Sequence, residues 1–170
     1  DKVNFADFTA IIFTSKNAVD HFFRICEEMR FEVSAELKYF CISETIALYL
    51  QKYIQYRKRK IFFGKQTAKE LEEVLKKHSK EKFLFPCSDV SNEETQRWLQ
   101  DNGYDFSPAV LFRTVISDIT DLEDVFYDVI VFFSPSSVQS LYENFPDFQQ
   151  KNTRIAAFGS VTDKLSELNE

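Results

Sequence analysis

The sequence predicts an α/β fold with parallel sheets, arranged as two related halves. Two observations predict it. Apolar runs of four to six residues alternate with amphipathic stretches of ten or more, the pattern of strand-helix units feeding a parallel sheet. The segment Thr9-Ala10-Ile11-Ile12-Phe13-Thr14-Ser15-Lys16-Asn17-Ala18-Val19 is also echoed by Tyr127-Asp128-Val129-Ile130-Val131-Phe132-Phe133-Ser134-Pro135-Ser136-Ser137-Val138. Each copy is an apolar run that stops at hydroxyl residues and opens a helix. The similarity continues downstream, in Lys38–Ala47 after the first copy and Arg154–Thr162 after the second, so a two-strand, two-turn unit occurs twice. Ligands of open α/β sheets bind at the carboxyl ends of strands, and the repeat therefore nominates a cleft between halves.

Taken in order, the first strand falls near 9–14. Behind it Val19, Phe22, Phe23, Cys26 and Met29 recur at three- and four-residue steps, placing them on one helical face that docks on the sheet. Strands follow near 38–42, 60–63 and 82–86. Thr67-Ala68-Lys69-Glu70 and Ser91-Asn92-Glu93-Glu94 match the capping box, in which a hydroxyl and a carboxylate satisfy free backbone N–H groups at a helix start. From Phe106 to Ser117 the pattern becomes a longer extended run with Pro108 near its start, as suits an edge or a connector. Further strands are expected near 128–133 and 153–158. Ser134 before Pro135 puts a capping hydroxyl ahead of a proline at the first helical position, where a missing N–H costs nothing.

The two halves are unequal. Four strand-helix units precede the extended run and two come after it, and two parallel strands cannot bury both faces of a sheet.

Composition narrows the function. The 170 residues are 44% hydrophobic and 16% aromatic, with 19 Phe, enough apolar side chain for a packed core. No apolar run approaches the ~18 residues of a membrane span, and the opening residues lack a signal-peptide pattern, so a cytoplasmic location is expected. Cys26, Cys41 and Cys87 are widely spaced and form no C-x-x-C pair, which points to neither a disulfide framework nor a zinc site. A net charge of −6 argues against a general nucleic-acid binder. With only Gly64, Gly103 and Gly159 there is no glycine-rich phosphate loop. The basic run Arg57-Lys58-Arg59-Lys60 reads as a solvated helix-strand junction, and His21 and His78 have no partners that would make a triad or metal site. Cys87, after Pro86 at a strand end, reads as a buried inert thiol.

At its turns the chain resembles the uroporphyrinogen-III synthase family, which closes the linear tetrapyrrole hydroxymethylbilane into a ring. The residues that carry the resemblance are Phe13–Val19, Leu84-Phe85-Pro86-Cys87-Ser88-Asp89, Arg113-Thr114-Val115, Phe132–Val138 and Ile155–Thr162. The resemblance implies two flavodoxin-like or Rossmann-like three-layer α/β domains with parallel sheets, joined by a two-strand linker. One domain of the family is assembled from both chain ends. Residues 1–106 are then expected to form the complete inserted domain, 107–118 the extended linker, and 119–170 a partial second domain whose remaining elements lie before Asp1 and after Glu170.

The implied activity is that of a cofactor-independent lyase: loss of a hydroxyl from hydroxymethylbilane, attack on the far ring, and inversion of ring D. The intermediate is a cationic azafulvene formed from substrate alone, so neither cofactor nor metal is required. The expected partner is this small molecule, with no nucleic acid and no membrane, bound by a monomer. An acidic protein can hold such a polycarboxylate through helix N-termini, each offering free N–H groups and roughly half a positive charge. Four such ends are candidates: Thr14-Ser15-Lys16, Ser43-Glu44-Thr45, Ser134-Pro135-Ser136-Ser137 and Gly159-Ser160-Val161-Thr162. Arg113 joins Lys16 as a charged candidate. Singly, each hydroxyl reads as a helix cap and each charge as solvated surface; the fourfold repetition is what favours binding.

Two departures from the family pattern stand out. Ser43 replaces a usual glycine, and Phe112 replaces a tyrosine considered a proton donor. The catalytic group is thus unassigned, with Thr45, Thr162 or a water as candidates. Two other classes fit the same sequence: a non-catalytic module of this fold binding an acidic ligand or a protein partner, and a two-lobed small-molecule receptor.

Overall fold

The computed structural model describes residues 3–65, 71–89 and 93–158. It divides into two compact units, with the division between Thr114 and Val115. In the first unit lie strands β1 (Ala10–Phe13), β2 (Lys38–Cys41), β3 (Ile61–Phe63), β4 (Phe83–Ser88) and β5 (Phe106–Phe112). Its helices are α1 (Lys16–Glu28), α2 (Glu44–Tyr49), α3 (Glu72–Lys77) and α4 (Glu93–Asp101). The strands form one parallel sheet in the order β3-β2-β1-β4-β5. The chain winds outward from β1 to β3, then returns to place β4 on the other side of β1, the doubly wound arrangement.

Helices cover both faces of this sheet because alternate strand residues point to opposite sides. Ile11, Phe13, Tyr39 and Cys41 pack with Val19, Phe22 and Ile46 of α1 and α2. Ala10, Ile12, Phe40, Phe83 and Phe85 pack with Leu75 and Leu99 of α3 and α4. Both β1 and the last three residues of β2 are buried throughout, as strands enclosed on both faces must be.

Helix α1 shows how local sequence sets the layer. Ser15, extended at φ −153°, caps it by accepting the Ala18 N–H at 3.0 Å. Ala18, Val19, Phe22 and Cys26 form its buried face. Met29, expected on that face, is instead 61% exposed. The helix has already ended at Glu28, and the chain turns through Arg30 at φ 52°, so the helical spacing no longer applies to Met29.

The run expected to be an extended connector begins as β5, paired in parallel with β4 from Phe83↔Phe106 to Ser88↔Phe112. Pro108 is tolerated because β5 is the outermost strand and has a free side. Strand β4 pairs with β1 only at Ala10↔Phe83 and Ile11↔Leu84, then continues along β5 through Pro86.

The second unit contains β6 (Val129–Phe132), α5 (Pro135–Asn144) and β7 (Arg154–Ala157). β6 and β7 pair in parallel from Val129↔Arg154 to Phe132↔Ala157. Phe132 and Val138 are its buried centre, with Ile130, Leu141 and Ile155 against them. Val129 and Val131, pointing away from α5, are 49% and 42% exposed. The capping boxes expected at Thr67–Glu70 and Ser91–Glu94 include residues outside the described ones.

Candidate functional site

The carboxyl ends of β1 and β2 are neighbours, held level by the pairing Phe13↔Cys41 and by the Ile42 N–H donating to the Phe13 carbonyl at 3.1 Å. Ser15 and Ser43, two residues past these strand ends, each cap a helix. The Ser43 hydroxyl accepts the Ile46 N–H at 3.4 Å, a longer bond than that of Ser15. One sheet edge thus brings Thr14, Ser15 and Lys16 beside Ser43, Glu44 and Thr45. Lys16, Glu44 and Thr45 are exposed, and Thr14, Ser15 and Ser43 half-buried. Lys16 leans over the ring of Tyr49, its Nζ 5.3 Å from the centroid.

The second unit repeats this geometry. The Phe158 N–H donates to the Phe132 carbonyl at 3.2 Å, the counterpart of the bond from Ile42 to Phe13. Ser134 caps α5, with Pro135 at the first helical position as expected. Ser137 closes the turn: its hydroxyl donates to the Ser134 carbonyl at 2.5 Å and accepts the Ser134 N–H at 3.4 Å. The Ser134 and Ser136 hydroxyls are 2.9 Å apart. Gly159, Ser160, Val161 and Thr162 lie outside the described residues.

Arg113 is exposed one residue past β5. Phe112, half-buried, lies against the ring of His21 on α1, centroids 4.7 Å apart. Beside it Asp89 accepts the Thr114 N–H at 2.9 Å and donates its own N–H to the Phe112 carbonyl at 3.3 Å. These residues come after β4 and β5. Strands β1 and β4 flank the point where the winding reverses, the place where open α/β sheets accept ligands.

Sequence reasoning missed a polar cluster between α1 and α2. Asp20 accepts the Tyr49 hydroxyl at 2.9 and 3.0 Å, the Lys52 ammonium at 3.1 Å, and the Tyr53 hydroxyl. Burial alone would raise the Asp20 carboxyl, but hydrogen bonds from Tyr53, Lys52 and Tyr49 outweigh it and hold the pKa below the ordinary 3.8. No local motif announces this set, because Asp20 stands 29 to 33 residues from Tyr49, Lys52 and Tyr53 and meets them only when α1 packs beside the end of α2.

Several side chains singled out in the sequence are structural. Lys60 is buried, with its ammonium on the Ala35 carbonyl and 2.7 Å from Glu36. His78 packs on Phe40 and Phe62 at 5.4 and 4.8 Å between ring centroids. Burial raises the Cys87 thiol, which donates to the Ala109 carbonyl at 3.6 Å. Among the described residues no group of three or more His, Cys, Asp or Glu is placed to hold a metal, and no helix is long and apolar enough to cross a membrane. A groove of about 820 Å³ lies beside Ile119, Phe126, Val129, Asn144 and Thr153. It is at the amino ends of β6 and β7, away from the capped turn.

The fold and these turns define a class: an α/β protein that presents hydroxyl-capped helix N-termini at the carboxyl edges of parallel sheets, without a glycine-rich phosphate loop. Residues 1–169 match the family model for uroporphyrinogen-III synthase HemD, and the chain belongs to that family. It has the family's synthase role, a lyase of tetrapyrrole biosynthesis. No curated protein matches it closely enough to count as a relative. Among solved structures it is similar in fold to the uroporphyrinogen-III synthetase of Helicobacter pylori 26695, with TM-score 0.69 and 20% identity over 99% of this chain and 77% of that one. A mutant uroporphyrinogen III synthase of the extreme thermophile Thermus thermophilus matches with TM-score 0.57 and 17% identity, over 96% of this chain and 70% of that one.

Proposed function

We propose that this chain cyclises hydroxymethylbilane to uroporphyrinogen III, with inversion of ring D and loss of water, and that the capped turns hold the substrate carboxylates. The family match over residues 1–169 carries this reading. In the first unit the substrate-binding set is Thr14, Ser15, Lys16, Ser43, Glu44, Thr45 and Arg113. In the second it is Ser134, Ser136, Ser137, Gly159, Ser160, Val161 and Thr162. Glu44 would contribute through its backbone N–H, since its carboxylate repels an anion. The hydroxyls are neutral donors, and the N-termini of α1 and α5 supply the positive end of the helix dipole. Lys16 and Arg113 add full charges at the exposed rim.

The protein's chemical task is then positioning. The substrate supplies its own electrophile, and the site keeps its ends in the inverting geometry before unguided closure gives the uninverted isomer. No cofactor or metal enters this scheme, and the working form is a cytoplasmic monomer built on two three-layer domains joined by a linker near 107–118. Thr45, Thr162 or a bound water would assist departure of the hydroxyl as a weak acid.

Incubating the full-length protein with freshly prepared hydroxymethylbilane tests the reading. The expected product is predominantly the type III isomer. Only the uninverted isomer, formed at the rate seen without protein, would overturn it. Phe112 is the observation that favours the second reading, a non-catalytic module binding an acidic ligand, because a phenyl ring has no proton to give. That reading predicts saturable binding of the tetrapyrrole without turnover.

A further inference from the structure

Phe133 and Phe158 form a stacked pair at the carboxyl edge of the β6–β7 sheet, with centroids 5.1 Å apart and planes 5° apart. They are 75% and 59% exposed. Each stands one residue past its strand, and the ladder bond from the Phe158 N–H to the Phe132 carbonyl sets them side by side. The strand alternation that buries Phe132 against α5 turns Phe133 to the opposite side. A single exposed phenylalanine is ordinary, but two stacked rings hold each other in place and leave a fixed, flat outer face.

The internal repeat says where this surface sits. Phe133 is the counterpart of Thr14, and Phe158 of Ile42, with the same carboxyl-end hydrogen bond in both units. Because the first unit makes that bond with a threonine and an isoleucine in these two places, the stack is not demanded by the repeated fold. It lies at the strand ends where open α/β sheets bind ligands. The next residue along is Ser134, which caps α5 beside the Ser136 hydroxyl. A ring lying on the stack would therefore carry its acidic substituents toward hydroxyl donors and a helix N-terminus.

We propose that the outer face of the Phe133–Phe158 stack is a platform for one pyrrole ring of the linear tetrapyrrole, whose carboxylate substituents reach the Ser134–Ser136 turn. The proposal rests on the synthase reading for its ligand and adds two positioning residues to it. Stacking supplies affinity that is indifferent to which edge of the ring is presented, and the capped turn fixes the edge. The cationic azafulvene, unlike the electron-rich pyrrole it comes from, gains further from the negative face of a phenyl ring.

The test uses the full-length protein, Phe133→Leu, Phe158→Leu and Phe133→Tyr. Leucine keeps the apolar bulk and removes the flat face, whereas tyrosine retains it. Calorimetric titration with a dicarboxylated monopyrrole is expected to show about tenfold weaker binding to each leucine variant and near-native binding to Phe133→Tyr. A ringless dicarboxylate should bind all four proteins alike. Turnover of hydroxymethylbilane should show the same rise in KM with kcat little changed. Equal monopyrrole affinity across the four proteins overturns the platform. So does a fall in melting temperature of the leucine variants with unchanged affinity, the result expected if a protein segment covers the stack. Isomer analysis of the wild-type product reports separately on the synthase reading, so the two fail independently.

Discussion

His21 and Phe112 lie face to face, with ring centroids 4.7 Å apart and planes 12° apart. The contact joins the second turn of α1 to the last residue of β5, and it occupies one face of a ring that the family resemblance expects to be a phenol. Arg24 holds the other participant, its Nε donating to His21 Nδ1 at 3.4 Å. Adding a hydroxyl to Phe112 therefore leaves the stack in place. Phe112→Tyr should fold with unchanged stability and alter kcat by less than about threefold, under ~1 kcal/mol of barrier. A general acid contributes roughly 10²–10⁴-fold, so a rise of that order in a steady-state assay would show that the missing phenol limits this enzyme.

Ser15 and Ser43 are predicted to separate by stability before they separate by function. The Ser15 hydroxyl accepts its N–H at 3.0 Å, that of Ser43 at 3.4 Å. Losing a serine cap typically costs ~1 kcal/mol, and Ser15→Ala should sit near that figure with Ser43→Ala below it, read from urea midpoints. If the turns bind carboxylates, both variants also raise KM for hydroxymethylbilane. A loss of stability with unchanged KM would reduce these hydroxyls to caps.

Asp20 gives the fold an acid sensitivity. Burial pushes its carboxyl up, but hydrogen bonds from Tyr53, Lys52 and Tyr49 prevail and hold it below its ordinary value of 3.8. A group with a depressed folded pKa stabilises the fold above its unfolded value and loses that contribution as pH falls through the folded one. Asp20→Asn should therefore melt below the wild type at pH 7, and the gap should close as pH falls below about 3.8. A gap of equal size at pH 3 would mean that the carboxylate charge contributes nothing.

How far the sequence is legible depends on the range of the interactions involved. Strands expected at 9–14, 38–42 and 128–133 appear at Ala10–Phe13, Lys38–Cys41 and Val129–Phe132, because an apolar run ending in a hydroxyl is a local signal. The same signal makes Ser15, Ser43 and Ser134 legible as helix caps. Pro108 suits an edge or a connector alike, and it lies in β5, the outermost strand of the sheet, so one proline cue does not separate the two cases. The Asp20 cluster and the Phe133–Phe158 stack are illegible for another reason, since each depends on contacts between separate elements. Phenylalanine reads as core wherever it occurs, and only the direction of a strand residue relative to its covering helix decides that Phe132 is buried and Phe133 is not.

The three thiols should be silent in the native protein. Cys26, Cys41 and Cys87 are all buried, and burial pushes Cys26 up to about 11 and Cys41 up to about 12. Burial raises Cys87 as well, partly offset by its bond to the Ala109 carbonyl. The thiolate is the reactive form, so at pH 8 each is both protonated and shielded. A disulfide reagent should label none of them on the native protein within minutes and all three in denaturant. With slow labelling under native conditions, Cys87 should react first. It lies at the carboxyl end of β4, where the pairing with β5 shifts register between Cys87 and Ser88, so a local opening exposes it. Cys41 is fully enclosed under α2 in the middle of the β3-β2-β1 array, and its labelling should track global unfolding. Equal rates at Cys87 and Cys41, measured by mass spectrometry of the labelled peptides, would show instead that the first unit opens as a single block.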